Sequence, residues 1–547
     1  MRVVAAQLPG LAFQREPRAP VPAPLRSDVA GFVGRTRRGP VGERVRVEGW
    51  KEYLRIFGGL AADAFMPYCI RGYFENGGQV AHVVRVAQPD GAVSASGDLS
   101  PPQTPSGGVP GTGSTDPLSG YRLLAATPGA WANRTRVHAR YRRQGRSGGA
   151  ELDLAVEAPG EPPEYLSGLQ LEAEDGVDVG QQLLRRSALL RLAPVTPPTL
   201  SGPSQQQWQV ALSGGADAHD HTAYPSALKQ LLDEPEVALL SLPDLYQDFD
   251  LPSTEPPKDR LRKFKDRLRV LLIDLLAESD SLRDRLLLLD VPRDPITGRP
   301  MDGENLLEWL GELRKDPRAT GSMFRSAAVY HPWLRVNDPL GGIIEPLRDL
   351  PPSGHVAGVI SRLDRERGAH HTPANATMDD AVDLQARLSD EEALRLHQQA
   401  VNLVRCSAGQ GLRLWGGSTL ARAPELATVT ETADGFVACR RLVHRLVRAI
   451  RRVAEPLVFD TNGPEMWLTL VRALTTVLLE AWRGGGLQGA RAEEAFYVRC
   501  DDTTNPPDQR ELGRCICEIG IAPVAPMEFI VFRVALGGEG ALEIFES

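Results

Sequence analysis

Two stretches limit the folds open to this chain: VALLSLPDL (Val237 to Leu245) and DRLLLLDVP (Asp284 to Pro292). Each is a near-continuous apolar run with no alternating polar face. Strands of this kind have both faces covered, which is the mark of a parallel sheet between helical layers. The segments around them read as helices: YPSALKQLLDEP comes before the first, and DRLRKFKDRLRVLLIDLLAES separates the two. SAAVYHPWLRV and HVAGVISRLDRE continue the pattern, and on this reading the charge run Asp364 to Arg367 is a solvated segment after a strand. Region 205–400 is therefore expected to be α/β.

At 547 residues the chain exceeds one ordinary core. Residues 1–27 are rich in proline and arginine and read as an extended arm. VAGFVGRTRRGPVGERVRV gives a strand, a basic turn and a second strand; GWKEYLRIFGG and AFMPYCIRGYFENGG give helices stopped by glycine, and QVAHVVRVA a strand. After a Gly/Ser/Pro/Thr-rich loop over 88–119, alternating segments such as RTRVHARYRR and ELDLAVEA predict a small β domain. WQVALSGG is assigned to the α/β region that follows, and the charged stretch 247–270 to a surface elaboration. The last third holds a strand pair around a glycine turn (VNLVRCSAGQGLRLW), two long helices and two final strands. The expected division is 1–27, 28–90, 91–204, 205–400, 401–525 and 526–547.

The chemistry in the sequence is sparse. A net charge of −8 gives no reason to expect nucleic-acid binding. No apolar run approaches the ~20 residues of a membrane span, and MRVVAAQLPGLAF lacks the pattern of a secretory signal. The six cysteines are scattered and are expected to be reduced. GVPGTGST (Gly108 to Thr115) mimics a phosphate loop but lacks its lysine. The neighbouring His370 and His371 have no ligand-spaced carboxylate or cysteine, so neither metal nor other cofactor is expected. A hydrolase on the α/β scaffold would have to use Asp217, His219, His221 and Ser361, without a nucleophile elbow. FYVRCDDTTNPPDQRE (Phe496 to Glu511) looks chemical, yet Asn505-Pro506-Pro507 and the Asp/Thr cluster read as a polar turn ending a strand. No catalytic residue is assigned.

The helix CRRLVHRLVRAIRRVAEP is the strongest remaining signal. Leu442, Val443, Leu446, Val447, Ile450 and Val453 form its apolar stripe, and arginines cover the rest. With the stripe on a core, Arg441, Arg445, Arg448 and Arg452 are expected to face an acidic protein neighbour.

In order along the chain, AGFVGRTRRGPVGERVRV, YCIRGYFENGGQVAHVVRV, ATPGAWANRTRV, YHPWLRVNDP, SGHVAGVISRLDRERGAHHTPAN, GLRLWGGSTLA, FYVRCDDTTNPPD and GIAPVAPMEFIVFRV resemble segments of contractile tail sheath proteins, from about 28 to 536. The resemblance implies a structural subunit that polymerises helically around an inner tube and contracts by lattice rearrangement, without nucleotide hydrolysis. It implies an inner domain built from both chain ends and a central subtilisin-like α/β domain without catalysis. It also implies N- and C-terminal arms that add strands to neighbouring copies, with Phe529, Val531, Phe532 and Val534 on the C-terminal arm. The implied partners are the chain itself, an inner tube protein, and baseplate and cap proteins, with the arginine helix facing either the tube or a neighbouring copy. The implied setting is a phage-tail-like particle assembled in the bacterial cytoplasm. A sheath-related cap or baseplate protein is the neighbouring alternative.

Overall fold

The computed structural model describes residues 26–546, apart from 88–90, 100–117, 119–120, 144–148, 172–177, 195–204, 248, 250–255, 408, 424–434, 525–529 and 537–541. Nearly all of the N-terminal arm and the phosphate-loop mimic Gly108–Thr115 thus lie outside the described residues.

The apolar runs form the middle of an eight-stranded sheet. Its spatial order is Gly411–Trp415, Val401–Ser407, Ala327–His331, Leu286–Asp290, Leu239–Ser241, Ala30–Gly34, Ala81–Arg85 and Arg44–Val47. The six inner strands are parallel, and an antiparallel strand closes each edge. Every residue of the five central strands from Ala327–His331 to Ala81–Arg85 is buried, as expected for a sheet covered on both sides.

This sheet crosses two of the boundaries drawn from sequence. Ala30–Gly34 pairs with Leu239–Ser241 on one side and Ala81–Arg85 on the other. Residues 28–90 therefore lie in the α/β unit and do not share the core of the C-terminal helices. Val401–Ser407 and Gly411–Trp415 join the same sheet. The two strands expected within 30–47 form, with Ala81–Arg85 between them in the sheet. A short, fully apolar strand such as AGFVG gains most by burial in the sheet centre, and sequence neighbours cannot reveal that.

HVAGVISRLDRE is a helix, Ser353–Arg367, where the sequence pattern suggested a strand. Its glycines explain the choice. A Cβ on Gly354 would lie 2.3 Å from the Cys69 carbonyl oxygen, and one on Gly358 would lie 2.5 Å from that of Tyr73. The helix thus packs backbone to backbone on Met66–Glu75. Pro257–Asp280 is likewise no surface elaboration: Phe264, Leu268, Leu272, Leu275 and Leu276 are buried in the α/β core.

The small β unit has a four-stranded antiparallel sheet, in the order Gln205–Ala211, Arg136–Arg143, Ala150–Glu157 and Glu164–Gln170. A three-stranded sheet (Ser96–Asp98, Tyr121–Ala125, Leu190–Pro194) packs with it around Trp208, Tyr141 and Leu123. Gln205–Ala211, assigned from sequence to the α/β region, completes this sheet. The third unit is C-terminal. Two helices, Val437–Ala454 and Pro464–Arg483, cover one face of a four-stranded antiparallel sheet and share a core with it.

Candidate subunit interface

The arginine helix Val437–Ala454 has two working faces. Leu442, Val443, Leu446, Val447 and Ile450 pack with Trp467, Leu470, Leu474, Cys517 and Ile519 in the C-terminal core. The opposite face meets the underside of the α/β unit. Arg441 Nη2 donates to the Ser27 carbonyl at 2.8 Å and to Asp364 Oδ2 at 3.0 Å. Arg451 Nη1 donates to Asp284 Oδ2 at 2.7 Å, and Arg285 Nε donates to the other oxygen of that carboxylate at 2.7 Å. Arg448 Nη1 lies 3.5 Å from the Glu236 carbonyl oxygen. Arg440 Nε donates to His444 Nε2 at 3.0 Å. Burial, then the surrounding arginines, holds His444 well below its usual range and so neutral, which lets it accept that bond. Burial also pushes Arg448 down to about 10.

This corrects the sequence expectation. Arg441 and Arg448 are 5% and 2% exposed, so they face a seam inside the chain and no outside partner. Arg445 is half-buried and Arg452 exposed. A helical wheel shows that arginines avoid the apolar stripe, but it cannot show that a second unit with Asp284 and Asp364 lies beneath them.

The C-terminal sheet runs Phe496–Arg499, Cys515–Ile521, Ile530–Leu536 and Leu542–Glu546, all antiparallel. Val531, Phe532 and Val534 of the expected arm pair here with Gly520, Ile519 and Cys517 of their own chain. Phe529 lies outside the described residues. Phe496–Arg499 is an edge: among the described residues it pairs with one strand only. Beside it runs a groove of about 480 Å³ lined by Pro464, Trp467, Leu468, Val471, Val498 and Cys500, together with the charged Arg499, Asp501 and Asp502. Leu468 and Tyr497 stand half exposed around this edge. An unpaired edge with an apolar trough beside it can accept an extended segment through main-chain bonds and side-chain pockets.

The turn after this edge strand is built locally. The Asp501 carboxylate accepts from the backbone N–H of Thr503 at 2.9 Å and of Thr504 at 3.2 Å. Asn505 Nδ2 donates to the Ile516 carbonyl at 3.0 Å, and its Oδ1 accepts from the Ile516 N–H. Among the described residues, no cluster of three histidine, cysteine or acidic side chains could hold a metal. The residues a hydrolase would need hold structure instead. Asp217 accepts from Arg85 at 2.8 Å and from the Ala130 N–H at 2.9 Å. His221 pairs with Asp220 at 2.8 Å and stacks on Phe249. His219 Nδ1 lies 3.3 Å from the Val86 carbonyl oxygen. Ser361 is buried within the helix that packs on Met66–Glu75.

One buried cluster escaped the sequence reading. Asp290 ends its apolar strand and accepts from the Ser353 N–H at 2.9 Å and the Ser353 hydroxyl at 2.6 Å, while Ser241 Oγ lies 2.8 Å from Ser353 Oγ. Burial raises the Asp290 carboxyl to about 7. The polar residues that close VALLS and LLLLD were the available signal.

Residues 323–420, the segment carrying Ala327–His331, Ser353–Arg367 and Gly411–Trp415, match the phage tail sheath protein central domain. Over this segment the chain is similar to the tail sheath family. The tail sheath protein of Enterobacteria phage T4 is 23% identical over 280 residues, covering 49% of this chain and 39% of that protein. That of Burkholderia phage BcepMu is 24% identical over 202 residues, 36% of this chain and 40% of that protein. The match spans about two fifths of the length of these curated relatives. The solved sheath tail protein of Listeria innocua superposes with a TM-score of 0.58 at 12% identity, covering 93% of this chain and 95% of that one. The likeness at that identity concerns the fold, and it extends through all three units.

Proposed function

We propose that this chain is a structural sheath subunit that polymerises helically around an inner tube and drives it by a change of lattice. The observation that carries the reading is the open edge Phe496–Arg499 with its apolar groove, in a chain with a tail sheath central domain at 323–420. The edge accepts an extended segment of another copy, and residues 1–27 are the segment of suitable kind. Strand addition of this sort holds copies together through main-chain bonds while leaving their bodies free to rotate, as a two-state lattice requires. On the same reading Ile530–Leu536 can exchange its partner Cys515–Ile521 for that of a neighbour. The units move as one, because the arginine seam ties the C-terminal unit to the α/β unit. Arg445 and Arg452 are then the residues of the basic helix left for an acidic strip on the tube. Baseplate and cap proteins close the two ends, and assembly takes place in the bacterial cytoplasm.

Electron microscopy of the expressed full-length chain tests this reading. Rods or stacked rings are expected. Deleting residues 1–20 should leave folded subunits that form no long rods. Normal rods from the deletion would exclude the arm, and a single ring that never elongates would favour a cap or baseplate component.

A further inference from the structure

Three cysteines converge at the root of the C-terminal sheet. Arg499 stands opposite Glu518 in the ladder, which places Cys500 one step beyond it, toward Cys517. Cys515 and Cys517 are two apart on one strand and so share a face. Cys500 Sγ lies 3.7 Å from Cys515 Sγ. It also lies 3.6 Å from Asn505 Nδ2, a donor anchored on the Ile516 backbone. Cys515 and Cys517 are buried, while Cys500 is half-buried and lines the groove beside Trp467 and Val498. A small solute entering that groove therefore meets Cys500 first. Hydrogen bonds from the Cys515 thiol, then from the Cys517 thiol, hold Cys500 below the usual thiol range; the same contacts, with burial, push Cys515 and Cys517 up. Cys500 is thus the thiolate of the group and the other two its donors.

We propose that Cys500 and Cys515 are an oxidisable pair that closes into a disulfide when the unassembled subunit meets a peroxide. The Cys500 thiolate attacks one peroxide oxygen, the O–O bond breaks, and the departing hydroxide takes up the proton that Cys500 released on ionising and leaves as water; Cys500 is now a sulfenic acid. Cys515 sulfur then attacks Cys500 sulfur. The S–O bond breaks, and the hydroxide released takes the Cys515 proton to leave as water. Two thiols are oxidised, one peroxide is reduced to two waters, and thiol exchange with a reductant reverses the bond. The bond would fasten the turn after the edge strand to the root of Cys515–Ile521, the strand on which Ile530–Leu536 pairs. The chemistry stands on the cysteine geometry alone; its consequence for assembly rests on the sheath reading.

The test uses the reduced full-length subunit, treated with hydrogen peroxide, quenched with iodoacetamide and mapped by mass spectrometry. A Cys500–Cys515 linked peptide is expected. Cys500 should also alkylate about tenfold faster than exposed Cys406 at pH 6, where an ordinary thiol is protonated. Cys517→Ser should keep the bond. Cys515→Ser should leave Cys500 over-oxidised or joined to Cys517, and Cys500→Ser should leave Cys515 and Cys517 reduced at the same dose. Free Cys500 and Cys515 beside an oxidised Cys406 would overturn the proposal, as would oxidation of Cys515 in folded Cys500→Ser. If Cys500→Ser fails to fold, the wild-type rates and Cys515→Ser decide the matter. Loss of rods in both redox states would count against the sheath reading and leave the cysteine pair untouched.

Discussion

The eight-stranded sheet and the four-stranded C-terminal sheet differ in how they end. The eight-stranded sheet has a closing antiparallel strand at each edge, and its five central strands are wholly buried. The four-stranded C-terminal sheet leaves Phe496–Arg499 with one partner strand and an apolar groove at its side. The first sheet is closed in effect, because Gly411–Trp415 is bonded along 375–378 and Arg44 and Arg46 of the other end strand are held by Glu234 and Glu236, so changes there act on stability. An open edge keeps pairing capacity in reserve, so changes there act on association. The arginine seam lies between the two.

The largest effect is expected at that seam. In Arg441→Ala, Asp364 loses its buried cation; with side-chain exposures of 5% and 3% for the pair, the loss should be about 3–5 kcal/mol. Urea unfolding should show the cost, and a single unchanged transition would mean that the two units are not coupled here.

Inside the closed unit, Gly358→Leu forces a side chain against the Tyr73 carbonyl, where a Cβ would already lie 2.5 Å away. Overpacking of this kind costs about 1–3 kcal/mol or more. A wild-type melting temperature would show that the two helices can separate without penalty.

The Asp290 cluster should give the closed unit a pH signature. The folded carboxyl titrates near 7, against an ordinary value of 3.8. Between those values the folded state holds a proton that the unfolded state has released. Stability from this group is therefore full below the lower value and falls as pH rises toward 7, by up to about 1.4 kcal/mol per pH unit. Asp290→Asn, which keeps the shape of the site, should flatten that slope in denaturant titrations from pH 4 to 8.

The smallest effect on stability is expected at the open edge. Leu468 is half exposed in the groove, so Leu468→Glu should change unfolding by no more than about 0.5 kcal/mol. Rods seen by electron microscopy should nonetheless shorten or vanish. Rods of normal length would mean that the groove is not where copies join.

Much of the closed sheet was readable because its signal is local. LLLLD and VALLS have no polar face to offer solvent, so each announces burial on both sides. The Phe496–Glu511 turn was readable for a similar reason: Asp501 and Asn505 bond to backbone within a few residues or across one hairpin. HVAGVISRLDRE misled because its Val and Ile favour strands, while the decision belonged to Gly354 and Gly358 and to the helix they touch. The edge groove and the Cys500–Cys515 approach had no sequence signal, since residues 15 apart meet only once the hairpin register is set.

By itself the sequence determined the α/β class, the apolar strands, the amphipathic stripe of the arginine helix and the resemblance to tail sheath proteins. These follow from periodicity and order along the chain, which need no knowledge of distant partners. The tertiary structure alone decided that Ala30–Gly34 sits between Leu239–Ser241 and Ala81–Arg85, and that Arg441 and Arg448 are internal ties. An arginine is exposed or buried according to what lies across from it. For Arg441 that is Asp364, 77 residues away in sequence and 3.0 Å away in space.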